Sequence, residues 1–344
     1  MLEHIGSVDE ILGASHSELT GAGLPSEVAM EVTGAWESAR LKAELERIDS
    51  GGVQLITRDD PDYSTLLSGI FDPPPVLYYR GKFNFNRPLH LAFIGSRKAS
   101  YAGKSMTNRL IKRISEVAPD TVIVSGLALG IDGAAHQAAL EWGLQTLAIL
   151  GNGLGSVYPA KHQGLAAQVA GQGAVISEFP IGTGPQAQNF PLRNRIVSGL
   201  CQGTIVIEAA ERSGASITAN LALEQGREVF ALPGAPDSAF CRGTNRMIQQ
   251  GRAKLVLDIE DVFDELQPGL NLAPAPEAAA PSRNDLSLEE NRVLSVLEPG
   301  PLHQDQLAQR LGLPIPQLLG LLTSLQMKDI LVGRSGGLFE VKRG

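Results

Sequence analysis

The chain has 344 residues, 43% hydrophobic and 19% charged, a globular profile too long for one average domain. Two cysteines, Cys201 and Cys241, exclude a disulfide framework and a cysteine zinc site. The net charge of −8, from 29 bases and 37 acids, excludes a uniformly basic nucleic-acid binder.

The charge is uneven: −7 over residues 1–50, −1 over the middle and zero over 286–344, so an anion site must be a local cluster in the middle. No apolar run approaches the ~18 residues of a membrane helix. The start, MLEHIGSVDEIL, lacks the basic region of a signal peptide, so a cytoplasmic location is expected.

Residues 1–50 carry helical apolar spacing, with strong helix formers over Ala35–Ile48, and predict a small helical domain. Residues 51–87 read as an extended connector. Gly51-Gly52 breaks the helix, Val53–Thr57 alternates briefly, and Asp72-Pro73-Pro74-Pro75 is rigid. From 88 to 267 short apolar runs alternate with helical stretches. Strands are predicted at Leu89–Ile94, Thr121–Ser125, Thr146–Leu150, Ala174–Glu178, Thr204–Glu208 and Glu228–Leu232, with Lys254–Leu257 as a further one. Helices are predicted near 102–118, 131–142, 161–171, 192–201 and 215–226. The strands are apolar on both faces, so the fold class is α/β with a doubly wound, mostly parallel, Rossmann-like sheet. Residues 268–284 are a Pro/Ala-rich linker. Residues 285–344 then predict helices at Leu288–Leu297, Gln304–Leu311 and Ile315–Gln326, followed by a hairpin from Ile330–Gly333 and Leu338–Val341, the winged-helix pattern.

Ligands of open α/β sheets bind beyond the carboxyl ends of the strands. Three such ends are glycine-rich: Gly95-Ser96-Arg97, then Gly126 to Asp132, then Gly151-Asn152-Gly153-Leu154-Gly155. Glycine there admits an anion to backbone N–H groups; the alternative is tight turns chosen for packing. The spacing fits neither an ATP-binding P-loop, where Lys98 stands in place of the first glycine, nor the dinucleotide fingerprint. Arg97, Lys161, Arg193 and Arg195 fall on the same predicted edge. Several separated cations suit a string of phosphates, with Phe179, Phe190 and Tyr158 available for stacking on bases. Alternatively the arginines pair with Asp132, Glu178 or Glu208. Asp132 and His136 lie one helical turn apart and could form a base with its orienter, or fix the glycine loop. No histidine shows metal-ligand spacing, so no metal, cofactor or catalytic residue is expected.

Together these residues resemble the DprA/Smf family of DNA-processing proteins. Seven segments carry the likeness in order: IGSR at Ile94–Arg97, SGLALGID with His136 from Ser125, LGNGLGSVYP at Leu150–Pro159, ISEFP at Ile176–Pro180, FPLRNRIVSGLC at Phe190–Cys201, Ser213–Gly234 and Gly243–Gly251. The resemblance implies a protein that is not an enzyme. It would bind and protect single-stranded DNA, help load the RecA recombinase in natural transformation or recombination, and form a homodimer through the later part of the core. By position the DNA contacts would be Gly95, Ser96, Arg97 and Gly126, with Lys161, Arg193, Asn194 and Arg195 further along. His162 departs from the family, which usually has asparagine there. The resemblance also implies that the first 50 residues are of helix-hairpin-helix or SAM type and that the end is a winged helix. Helix 315–326 has no Lys or Arg, so a protein-contact role is expected, with Arg334, Lys342 and Arg343 as the residues that could instead meet duplex DNA. The competing class is a nucleotide-binding or nucleotide-cleaving Rossmann-like enzyme, with Glu208 as its carboxylate.

Overall fold

The computed structural model describes residues 8–34, 39–211, 213–267, 287–297, 300–327, 330–334 and 337–341. The expected linker at 268–284, Lys342, Arg343 and the side chain of Arg334 lie outside the described residues. The chain forms two compact units, Met1–Leu272 and Ala273–Gly344.

The first unit opens with α1 (Val8–Gly13), α2 (His16–Gly21), α3 (Ser26–Thr33) and α4 (Ala39–Gly51). Ser15 and Glu18 form a capping box at the start of α2, and Leu19 and Ala29 are buried in a small cluster of their own. Glu44 of α4 accepts a hydrogen bond from the backbone N–H of Ile181, which ties this helix to the α/β core.

The segment expected to be a connector is instead part of the sheet. It folds as β1 (Gln54–Thr57), α5 (Thr65–Ser68) and β2 (Val76–Gly81), with β1 antiparallel to β2. Ile56 and Leu77 are buried, and Tyr63 Oη donates to the carbonyl of Pro74 at 2.7 Å. The prolines lead directly into β2 and are docked through Pro74.

Then come β3 (His90–Ile94), α6 (Tyr101–Val117), β4 (Val122–Ser125), α7 (Ile131–Glu141), β5 (Thr146–Ile149), a 3₁₀ turn at Ala160–His162, α8 (Gln163–Gln172), β6 (Ala174–Ser177), α9 (Asn189–Gly199), β7 (Gly203–Val206), α10 (Gly214–Glu224), β8 (Glu228–Ala231), α11 (Arg242–Gln249), β9 (Lys254–Leu255) and α12 (Glu260–Leu266). The strands stand in the order β1-β2-β6-β5-β4-β3-β7-β8-β9, parallel from β6 to β9, with β2 antiparallel to β6. The alternation along β3 sorts its side chains by face. Leu91 and Phe93 pack with residues of α6, α7 and α12; Ala92 and Ile94 pack with residues of α9, α10 and α11. Helices α11 and α12 were not predicted. Gly, Thr and Asn make α11 a poor helix former, and α12 is short; each is held by a buried anchor, Met247 and Phe263. After β3 the chain winds to β4, β5 and β6, then returns to lay β7 on the other side of β3. The order reverses there, so the ends of β3, β4 and β7 are where this topology opens a crevice.

The second unit has α13 (Leu288–Leu297), β10 (Leu302–His303), α14 (Gln304–Leu311), α15 (Ile315–Met327), β11 (Leu331–Arg334) and β12 (Leu338–Val341), with β10-β12-β11 antiparallel. Leu307, Leu318, Leu322 and Leu325 fill its core. Three helices and a hairpin were expected; β10 is an added short strand. Among the described residues no helix is long and apolar enough to cross a membrane.

Candidate nucleic-acid interface

A cleft of about 680 Å³ opens at the reversal point. Gly95, Ser96, Arg97 and Lys98 line one wall, Gly126, Ala128 and Asp132 a second, and Phe190 and Asn194 of α9 a third.

The wall after β4 is tied from every side. Asp132 Oδ2 accepts the N–H of Gly126 at 3.2 Å and of Ala128 at 3.4 Å. Arg193 Nη1 donates to the carbonyl of Gly126 at 2.7 Å and also to that of Ile149. His162 Nδ1 bonds the carbonyl of Leu127 at 2.9 Å, and Gly133 N–H reaches Ala128 O at 3.0 Å. Between these ties Leu127 is held at φ +57°, the left-handed region, with its side chain fully buried. A leucine adopts that backbone only where the surroundings over-determine it.

The glycines here serve packing. A Cβ on Gly126 would meet the Arg193 guanidinium at 2.7 Å, and one on Gly151 would meet the Phe190 ring at 2.7 Å. The N–H groups of Gly153 and Gly155 go to the carbonyls of Thr183 and Ile181, both at 2.9 Å. The expected anion cradle of backbone N–H groups is therefore used up internally at the third loop and at Gly126.

Arg193 is 4% exposed. Burial brings its guanidinium down to about 10, against the pull of nearby Asp132, while burial pushes the Asp132 carboxyl up, against the opposing pull of Arg193 and the loop amides. The pair is a buried strut under the cleft. Asp132 makes no hydrogen bond to His136. The latter reaches Thr146 Oγ1 at 2.7 Å, and that hydroxyl donates to the carbonyl of Ile123 at 2.8 Å, so it accepts the proton on His136 Nδ1. Burial drives the ring down to about 3, leaving it neutral and unsuited to serve as a base oriented by Asp132. The geometry has Asp132 fixing the glycine loop, while His136 instead ties α7 to Thr146 of β5.

The wall after β3 is open. Arg97 is exposed, its guanidinium carbon 5.9 Å from the centroid of Phe190, and Phe190 lies 5.4 Å from Tyr158. Lys98 is also exposed, and Asn194 is half-buried with no side-chain hydrogen bond among the described residues. A cation, two neighbouring rings and an amide thus face one space, able to meet a phosphate and the flat face of a base.

Two expected contacts lie elsewhere. Arg195 makes a bidentate pair with Glu178, both bonds 2.7 Å, and its Nε bonds Asp72 O at 2.9 Å. It pins the proline segment to the end of β6 and does not line the cleft. Lys161 stands exposed on the 3₁₀ turn, also outside the lining. Glu208 is 5% exposed and accepts from the N–H of Ser100, at 2.9 Å, and from its hydroxyl. That carboxylate holds Ser100, the N-cap of α6, and is committed to the fold. His162 and Lys98 went unmarked as site residues; His162 had a visible signal, since it replaces a short amide beside a glycine loop. Among the described residues no group of three or more His, Cys, Asp or Glu could hold a metal ion.

Comparison with known proteins adds two family models: DNA recombination-mediator protein A over residues 54–267, and the DprA winged helix domain over residues 276–337. Protein Smf of Escherichia coli is 39% identical over 307 residues, 88% of this chain and 81% of that protein. DNA processing protein DprA of Streptococcus pneumoniae is 38% identical, covering 78% of this chain and 92% of its own length, and its X-ray structure matches with a TM-score of 0.67 over 73% of this chain and 86% of that one. DNA processing protein A of Helicobacter pylori, solved for its single-stranded DNA binding mode, matches at 28% identity with a TM-score of 0.56, covering 62% of this chain and 95% of that one.

Proposed function

Because the chain belongs to the DNA recombination-mediator protein A family, we propose that the cleft binds single-stranded DNA without sequence preference and without turning it over. The observation that carries this reading is the open wall: Arg97 over the ring of Phe190 at 5.9 Å, with Tyr158 beside it, at the reversal point of the sheet. A guanidinium takes a phosphate, and stacked rings take any base, because every base has a π-face. Gly95, Ser96, Arg97 and Asn194 face the strand, while Gly126, its N–H and carbonyl taken by Asp132 and Arg193, only lines the cleft. Arg193 acts as a positioning residue that holds the second wall. The binding of single-stranded DNA by the Helicobacter pylori relative supports the choice of ligand.

The finer part of the reading is that a homodimer protects the strand in the cytoplasm and helps load RecA on it during transformation or recombination. The family's description as a recombination mediator supports the transfer. Exposed Leu223 (40%) on α10, in the later part of the core, supports the dimer.

The test is fluorescence anisotropy of a labelled deoxythymidine oligonucleotide at two salt concentrations. Arg97→Ala should weaken binding by about tenfold or more and lower the salt slope by ~0.7, the share of one phosphate contact on a single strand. Binding indifferent to Arg97 would sink the reading.

A further inference from the structure

Residues 97–113 hold Arg97, Lys98, Lys104, Arg109, Lys112 and Arg113 and no Asp or Glu, in a chain of net charge −8. Arg113 is engaged by Glu260 at 2.7 Å and Glu116 at 3.3 Å. Lys98, Lys104 and Lys112 have no carboxylate partner among the described residues. Tyr101 is 89% exposed, and Lys112 Nζ stands 4.9 Å from the ring centroid of Trp142. Trp142 Nε1 in turn donates to Asn108 Oδ1 at 3.3 Å.

Positions 101, 104, 108 and 112 recur at helical spacing, so they share one face of α6. At ~1.5 Å per residue that face runs roughly 17 Å from Tyr101 to Lys112. Its upper end starts three residues from Lys98, which lines the cleft. Glu141, the carboxylate that touches the stripe, accepts from Asn108 Nδ2 at 2.9 Å and pairs with none of the lysines.

We propose that this face of α6 is a second track for the single strand that occupies the cleft, with phosphates on Lys98, Lys104 and Lys112 and a base stacked on Tyr101. The inference rests on the cleft being the DNA site. Three things point to a nucleic-acid strand. The charge is uncompensated and complementary. The stripe is continuous with the cleft and longer than one nucleotide. Its exposed aromatic ring is flanked by cations, the combination that holds single strands without reading sequence.

The test uses the full chain carrying Tyr101→Ala, Lys104→Ala and Lys112→Ala together, with labelled deoxythymidine oligonucleotides of ~6 and ~20 nucleotides, a range that brackets what a small site covers. All three side chains are outside the core, and circular dichroism of the variant should match wild type. The ~6-mer should bind within about twofold of wild type. The ~20-mer should lose about tenfold or more, with a salt slope lower by ~1.4 for two lost phosphate contacts. Equal loss at both lengths, or no loss at either, overturns the track. Arg97→Ala separates the two ideas. If it weakens both lengths while the triple variant is silent, only the track fails. If it weakens neither, the cleft reading fails and the track falls with it.

Discussion

Two of the walls of the cleft each draw on an arginine and do opposite work. After β4, Asp132, Arg193 and His162 spend their polar atoms on the backbone of residues 126–128. After β3, Arg97 and Lys98 stay exposed and touch little but an aromatic face. An arginine predicted on the ligand edge is thus a strut or a candidate ligand according to how many carbonyls surround it, and residue type alone does not separate the two. The tied wall makes sense beside the open one. A strained Leu127 and a buried charge hold one side still, so that any ligand entering the cleft would meet a fixed shape and lose less entropy on binding.

The sharpest way to break this contrast is Arg193→Ala. It removes the donor to Gly126 O and Ile149 O and leaves Asp132 buried without its neighbouring cation. Leaving two buried carbonyls without their donor costs about 1–3 kcal/mol each, so the urea midpoint should fall steeply. Arg97→Ala, an exposed side chain, should move stability by less than about 0.5 kcal/mol while losing DNA affinity. If the two variants exchange these signatures, Arg193 is the ligand and the comparison is inverted.

A smaller effect comes from two buried imidazoles. Burial drives His136, under the tied wall, down to about 3 and His90, at the start of β3, down to about 4. Both ring nitrogens of His90 lack a partner, and Phe83 meets the ring edge-on at 5.8 Å. Both folded values lie below the unfolded value near 6.5, so the unfolded chain binds more protons in between. Stability from these rings is complete above pH 6.5 and falls as the pH drops toward 4 and 3. From pH 7 to pH 5 the loss should be about 2 kcal/mol per ring. Urea midpoints at the two pH values measure it, and a flat midpoint rejects the burial of neutral imidazoles.

Much of this was legible beforehand. Each core strand from β3 to β8 lies where an apolar run was flanked by turn residues, because parallel strands buried on both faces must be continuously apolar; β9, exposed at the sheet edge, was legible only as the weaker run Lys254–Leu257. The segment before β3 was misread because prolines signal rigidity without saying what is docked; Tyr63, bonded to Pro74, and Asp72, bonded to Arg195, show that the segment is held. At the site, the place was legible from topology and glycine, and the partners were not. Whether Gly126 N–H faces a ligand or Asp132 depends on a side chain six positions on, and whether Arg195 is free depends on Glu178 and Asp72, brought together by the sheet.

The smallest expected effects fall on the two cations placed outside the cleft, and they sharpen its boundary. Arg195→Ala breaks a pair whose two side chains are only 14% and 15% exposed, plus the tie to Asp72, and should cost about 1–2 kcal/mol, more than a surface pair and less than the strut at Arg193. Its binding of a ~6-nucleotide strand, a length within what such a site covers, should stay within about twofold of wild type. Lys161→Ala should do less still. The side chain is exposed, so stability should hold within about 0.5 kcal/mol, and a short strand confined to the cleft should not sense it. The informative failure is a loss of short-strand affinity in Lys161→Ala alone. Tyr158 lines the cleft and stands three residues before Lys161, so that loss would carry the binding surface past Tyr158 onto the 3₁₀ turn. The open wall would then have a second segment beyond the tied one, and His162, which holds Leu127 from that same turn, would couple the two.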